Sequence, residues 1–216
     1  MSNGKKTPSN IYIVGAQCTG KTTLVRELQA QFQASLSREA TDNDIDESPQ
    51  IISEVARAVL RQHRFATEDI RSSPERSLAL QKLILAAQVD AEREALGKSS
   101  WFISDRSGID PVVYARKYVG ADAAREMMAQ STSWLELKDR MVGSLVTVCE
   151  AGATWLMDDG VRLMPEDRGD WLQFHDMFCE LLDELGLPYF VLPCKMHSLS
   201  ERVQFVLSKW HELQRT

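Results

Sequence analysis

Residues 11–24 read Ile-Tyr-Ile-Val-Gly-Ala-Gln-Cys-Thr-Gly-Lys-Thr-Thr-Leu, and they decide the fold. Ile11 to Val14 is a short continuous apolar run, the pattern of a strand buried on both faces. Gly15 and Gly20 then bracket Ala16, Gln17, Cys18 and Thr19, and Lys21, Thr22 and Thr23 follow. This is the phosphate-loop pattern Gly-x-x-x-x-Gly-Lys-Thr with no mismatch. Leu24, Val25 and Leu28 recur at helical spacing, so a helix is predicted from about Lys21 to Leu36. The two glycines let the chain bend until successive N–H groups point inward. Those donors make an anion cradle, to which the positive end of the helix adds. Lys21 can reach β- and γ-phosphates. The Thr22 hydroxyl can ligate Mg²⁺, a cation that keeps several waters and takes few protein oxygens. Residues 15–23 are therefore the expected site for ATP or GTP with Mg²⁺.

The chain has 216 residues, 44% of them hydrophobic, which suits one compact α/β domain. The expected organisation is a polar tail at 1–9 and a single domain over 10–216. A net charge of −6 argues against broad electrostatic binding to nucleic acid or anionic membrane. The longest nearly apolar stretch, 145–157, is interrupted by Glu150 and is too short to span a bilayer. The first ten residues lack the apolar segment of a signal peptide. Cys18, Cys149, Cys179 and Cys194 are scattered, with no Cys-x-x-Cys pair and no histidine at ligand spacing. That disfavours a thiolate metal site or a disulfide framework, and the cytoplasm is the expected compartment.

Four more strands are predicted, at 50–54, 101–105, 145–149 and 189–192. In open α/β sheets ligands gather beyond the carboxyl ends of strands. Glu54 falls at such an end, with Arg57 one turn later. Position alone leaves two readings, a functional carboxylate or a helix-start carboxylate favoured by the dipole. Asp105 ends the third strand, as the magnesium side of a phosphate-loop enzyme requires. Its neighbour is Arg106, where hydrolysing motor ATPases commonly carry a water-activating glutamate. An arginine there favours transfer to a bound acceptor.

Between the strands, Ser73-Pro74 opens a long helix ending near Gly97. Gln81 and Gln88 lie seven apart on one of its faces, where ordinary surface placement is the simpler reading. Residues 108–118, with Asp110 and Tyr114, read as loop then helix. Helices at 121–130 and 133–141 follow, as a small subdomain covering the acceptor. Residues 37–49 are acidic and read as a surface loop, because no calcium-loop pattern is present. Residues 155–169 are turn-rich and carry Arg162 and Arg168 just before a helix at 170–185. Arginines there can close over a triphosphate. The alternative is a solvated turn with both paired to Asp159, Glu166 or Asp167. Ser198 to Glu201 is a capping box that opens the last helix.

Together these pieces resemble the NadR-like NTPase domain, known from the ribosylnicotinamide kinase part of a bacterial NAD-biosynthesis regulator. The residues that carry the resemblance are Gly15 to Thr23, Ser53-Glu-Val-Ala-Arg57, Gln81, Asp105-Arg-Ser-Gly-Ile-Asp110 with Tyr114, and Asp159-Gly-Val-Arg162. It spans nearly all of residues 10–215. It implies a three-layer α/β/α phosphate-loop NTPase fold of the nucleoside/nucleotide-kinase type. The implied sheet has five parallel strands in the order 2-3-1-4-5. It also implies roles. Glu54 becomes a general base or a ligand of the acceptor hydroxyl, and Arg57 and Arg106 become acceptor- or phosphate-side cations. Asp110 and Tyr114 join the acceptor side. Asp105 becomes the magnesium-side carboxylate or an alternative base, and Arg162 with Arg168 the lid. The regulator's adenylyltransferase and DNA-binding modules are not expected within these 216 residues. The acidic insert at 37–49 is expected to reshape the acceptor pocket, so nicotinamide riboside is not carried over as substrate.

The expected function is Mg²⁺-dependent phosphoryl transfer from ATP or GTP to a small-molecule, nucleoside or nucleotide acceptor. Two other classes share the loop. One is a nucleotide-dependent switch with slow hydrolysis and a protein or lipid partner, although no Asn-Lys-x-Asp guanine-reading motif is present. The other is a kinase acting on polynucleotide 5′ ends, which the acidic composition disfavours.

Overall fold

The computed structural model describes residues 9–36, 48–153 and 165–215. The tail, most of the acidic insert and the segment holding Asp159 and Arg162 lie outside the described residues. Five strands form one sheet: β1 (Ile11–Val14), β2 (Gln50–Ile52), β3 (Phe102–Asp105), β4 (Leu145–Cys149) and β5 (Phe190–Leu192). Their order is β2-β3-β1-β4-β5 and every neighbouring pair is parallel, as the sequence resemblance implies. In this register Ile13 lies opposite both Asp105 and Thr147. The carboxyl end of β3 is thereby set beside the chain that leaves β1 as the phosphate loop.

Helices cover both faces: α1 (Lys21–Leu36), α2 (Val55–Gln62), α3 (Thr67–Ser72), α4 (Pro74–Leu96), α5 (Ile109–Tyr118), α6 (Ala121–Gln130), α7 (Thr132–Val142), α8 (Arg168–Glu184) and α9 (Leu199–Arg215). Alternation along β1 sorts the core into two. Ile11 and Ile13 face Leu24, Leu28 and Phe32 of α1 and Val203, Val206 and Trp210 of α9. Trp101 stacks on Trp210 at 5.0 Å in this layer. Tyr12 and Val14 face the other side, with Leu85, Val89, Val112, Leu137 and Phe174 from α4, α5, α7 and α8. A smaller cluster of Val59, Ile70, Leu80 and Ile84 joins α2 and α3 to α4. Among the described residues, no helix is long and apolar enough to cross a membrane.

The boundaries differ from expectation at a few places. β2 stops at Ile52, and Glu54 takes the N-cap position of α2. α8 begins at Arg168, two residues early, because the Asp167 side chain accepts a 2.7 Å hydrogen bond from Asp170 N as its N-cap. α3 has no counterpart in the sequence reading, since six residues with one buried apolar side chain, Ile70, carry no periodicity. Gln81 and Gln88 are not on the surface. Both are buried, as is Glu92 one turn beyond Gln88. Glu92 accepts from Tyr12 Oη at 3.0 Å, from Gln88 Nε2 at 2.8 Å and from Arg140. Burial raises the Glu92 carboxyl, and these donors oppose that rise.

Candidate active site

The site is built on the carboxyl ends of β1, β2 and β3. Residues 15–20 form the loop between β1 and α1, and two glycines there have no substitute. Gly15 has φ +123°, and a Cβ on it would lie 2.7 Å from the Cys149 carbonyl oxygen. Gly20 has φ +78°, and its Cβ would lie 2.6 Å from the Arg202 guanidinium. Cys18 also adopts a left-handed φ of 59°.

Lys21 is buried. Its Nζ donates to Ala16 O at 2.5 Å, while Thr19 Oγ1 donates to the same carbonyl at 2.9 Å. Burial, helped by the nearby Arg106 charge, brings the Lys21 ammonium down to about 8. The Thr22 hydroxyl donates to Asp105 Oδ2 at 2.5 Å, so the end of β3 is tied to the first turn of α1. Asp105 Oδ1 is buried and has no hydrogen-bond partner. Thr23 is exposed on α1.

On the other side of Asp105 lies a chain of ion pairs. Arg106 Nε donates to Glu54 Oε1 at 2.7 Å, and Arg106 NH1 donates to Asp110 Oδ1 at 3.0 Å. Arg57 Nε donates to Glu54 Oε2 at 2.9 Å. Asp110 Oδ2 accepts from Ser107 N at 2.8 Å. Arg106 sits at φ 86°, an unusual backbone angle for a residue with a side chain, and its N–H donates to Ile13 O. Burial pushes against the Glu54 charge, but Arg106 and Arg57 overcome it and hold the carboxyl at about 2. Burial dominates at Asp110 and raises its carboxyl. Burial likewise raises the Tyr114 phenol.

These groups form one wall of a cleft enclosing about 710 Å³ of empty space, the open mouth included. Leu60, Ile70, Leu80, Ile84 and Pro111 make it apolar, and Arg57, Asp110 and Tyr114 line it too. Three glutamines enter it from the loop and α4. Gln17 Oε1, Gln81 Nε2 and Gln88 Oε1 are each buried without a hydrogen-bond partner. The Gln88 amide is oriented, because its Nε2 is committed to Glu92 and to Ser104 Oγ at 3.1 Å. Its oxygen therefore faces the cleft. Orphaned amide atoms on residues that line a cleft are open to hydrogen bonds from a ligand.

Glu54, Arg57, Arg106, Asp110 and Tyr114 are thus brought together around the cleft, which Gln17 alone lines from the phosphate loop; Lys21, Thr22 and Asp105 are not among its lining residues. Arg168 is not among the cleft's lining residues. It is exposed at the start of α8, with its guanidinium near Gly152. Sequence reading missed two residues. Trp171 Nε1 donates to Gln17 O at 2.9 Å, and Arg202 NH2 donates to Thr19 O at 2.7 Å. Neither position carries a motif, and their partners are backbone carbonyls far away in the chain.

The chain matches the AAA_28 family, an AAA domain, over residues 10–202. No curated protein matches it in sequence. Among solved structures it is similar to the NadR protein in complex with NR, at 20% identity and a TM-score of 0.71. That match covers 97% of this chain and 52% of the NadR chain, so the chain spans about half the length of that protein. It is similar to deoxyadenosine kinase from M. mycoides, at 13% identity and a TM-score of 0.59, over 94% of this chain and 99% of that one. It also resembles shikimate kinase from Acinetobacter baumannii, at 14% identity and a TM-score of 0.50, over 95% and 94% of the two chains.

The phosphate-loop fold implies Mg²⁺, and the oxygen donors beside the loop are of the type that ion takes. Asp105 and Thr22 offer hard oxygen ligands, and Asp105 Oδ1 is left open. Among the described residues, no group of three His, Cys, Asp or Glu side chains is placed to hold a metal alone. From the match over residues 10–202 and the order of the sheet, the chain belongs to the AAA_28 family and has a NadR-like phosphate-loop kinase fold.

Proposed function

We propose that the protein transfers the γ-phosphoryl group of ATP or GTP to a hydroxyl of an uncharged small molecule of nucleoside type. The observation that carries this reading is the cleft of about 710 Å³ lined by Gln17 of the phosphate loop together with Glu54, Arg106 and Asp110 of the ion-pair chain. Hydrolysis requires no such cavity beside the γ-phosphate position.

The lining supports an uncharged acceptor. Arg57 and Arg106 are matched by Glu54 and Asp110, so no net positive charge is left over for a phosphorylated acceptor. The apolar wall suits a planar ring, while Gln81 Nε2 and Gln88 Oε1 ask for one acceptor and one donor on the ligand. Glu54, held ionised at about 2, is a weak base but a firm acceptor. Its role is to orient the hydroxyl and receive its hydrogen bond. In a loose phosphoryl-transfer transition state the hydroxyl loses its proton late, and the proton passes to an oxygen of the transferred phosphoryl group or to solvent. Lys21 and the loop N–H groups hold the β- and γ-phosphates, while Arg106, paired to Glu54 and Asp110, holds the acceptor-side carboxylates in place. Arg162 and Arg168 complete the reading as lid cations. Thr22 and Asp105 would hold Mg²⁺, which would supply charge neutralisation at the phosphates.

The test is incubation of the protein with γ-labelled ATP or GTP, Mg²⁺ and matched pairs of nucleosides and their 5′-monophosphates, nicotinamide riboside included. Labelled product from a nucleoside is expected. Product from the monophosphates alone would overturn the uncharged acceptor.

A further inference from the structure

The carbonyl oxygens of the phosphate loop are held by donors from four places. Ala16 O accepts from Lys21 and Thr19, and Gly20 O accepts from Leu24 N at 3.0 Å. Those contacts are local. Gln17 O and Thr19 O are held from outside, by Trp171 of α8 and Arg202 of α9.

Arg202 is the more demanding of the two. It is 7% exposed, in the first turn of α9. Its NH2 donates to Thr19 O at 2.7 Å and to Cys149 Sγ at 3.5 Å. The absence of a Cβ on Gly20 is what admits the guanidinium, as NH1 would lie 2.6 Å from that atom. Burying a guanidinium is costly unless it does something that an apolar residue of the same size cannot. Peptide geometry says what that is. In a trans peptide the C=O and the following N–H point in opposite directions. Pulling Thr19 O toward Arg202 therefore turns the Gly20 N–H the other way, into the cradle. Trp171 does the same for the Cys18 N–H by holding Gln17 O.

We infer that Arg202 is a positioning residue for the triphosphate. From behind the loop, it fixes the Thr19–Gly20 peptide with its donor aimed at phosphate, and it adds a buried positive charge beneath the cradle. The inference rests on residues 15–23 binding phosphate, but on neither the acceptor nor phosphoryl transfer.

The experiment is calorimetric titration of the full chain with Mg²⁺ and AMP-PNP, for wild type, Lys21→Ala, Arg202→Met and Arg202→Lys. Apo melting curves identify the folded variants. Arg202→Met should weaken AMP-PNP binding about tenfold to hundredfold, the scale of one charge-assisted hydrogen bond. Arg202→Lys, which keeps the charge and one donor, should recover part of the loss. If Arg202→Met does not fold, Arg202→Lys decides, with a rise in Kd of at least threefold expected. Affinity within threefold of wild type in a folded Arg202→Met, or in Arg202→Lys where it alone folds, would overturn the inference and leave the phosphate site standing. A wild-type protein that fails to bind AMP-PNP would overturn the phosphate-site reading, and the inference with it.

Discussion

Thr22 Oγ1 and Asp105 Oδ2, 83 residues apart in the chain, are joined by a 2.5 Å hydrogen bond across the carboxyl ends of β1 and β3. The bond fixes one carboxylate oxygen and leaves the other, Oδ1, buried and open. On the proposed reading that open oxygen faces the cation. Asp105→Asn keeps an acceptor for Thr22 but removes the charge. Transfer should fall by about two to three orders of magnitude, and the Mg²⁺ activation curve should move to higher concentration. An unchanged curve would place the cation elsewhere.

On the proposed reading, Lys21 links phosphate binding to pH. Burial lowers its ammonium from 10.5 to about 8 in the unliganded protein, and bound phosphates restore the charge. Triphosphate affinity should be greatest below pH 8 and weaken as pH rises through 8, by up to about tenfold per pH unit. For stability the sign is opposite. Below pH 8 both folded and unfolded chains carry the charge, and the folded state bears its full burial penalty. From pH 8 to 10.5 the unfolded chain holds more protons, so stability rises with pH. At pH 7 Lys21→Met should stabilise the unliganded fold by up to about 3 kcal/mol, measured by denaturant unfolding.

Glu54 behaves in the reverse sense. Burial works against its charge, but Arg106 and Arg57 depress the carboxyl from 4.5 to about 2. Its contribution to stability is complete above 4.5 and is lost as pH falls from 4.5 through 2. Glu54→Gln should therefore be less stable than wild type at pH 7, by on the order of 2 kcal/mol. The gap should close toward pH 2. In turnover, Glu54→Gln, which keeps an acceptor but weakens the hold on the hydroxyl, should lose about ten- to a hundredfold in kcat with AMP-PNP affinity unchanged. The wild-type pH profile should show no acid limb between pH 5 and 7 from this group.

Away from the cleft's mouth, Arg140 and the fully buried Glu92 hold one another between α7 and α4. Removing one partner strands the other charge. Arg140→Met should cost about 3–5 kcal/mol, seen as a lower denaturation midpoint. It should also raise the acceptor's KM, because Glu92 orients Gln88.

The sequence was informative wherever function sits on a local pattern. β1, the loop and α1 are contiguous, so their motif reveals strand, cradle and helix together. Glu54, Asp105 and Arg106 were legible because each sits at or just past the end of a short apolar run. The strand order came from the family resemblance, since no single run states its neighbour. Gln81 and Gln88 were misread as surface residues because amides look like solvated positions. Their spacing held a clue. With Leu85 and Glu92 they recur at i, i+4, i+7 and i+11, placing polar groups on the face that packs against the sheet. Arg202 and Trp171 were not legible at all. Each acts on a backbone carbonyl more than 150 residues away, and no spacing encodes such a contact.

On the proposed reading the γ-phosphoryl group passes to a bound hydroxyl rather than to water. The most direct measurement is the partition of label from γ-labelled ATP and GTP between organic product and inorganic phosphate, for wild type and Lys21→Ala, with nucleosides and nicotinamide riboside present. Label in an organic product from wild type, several-fold above free phosphate and absent from the variant, is the predicted result. Nucleotide binding with label released slowly, and only as inorganic phosphate, would contradict the account and identify a switch-type NTPase.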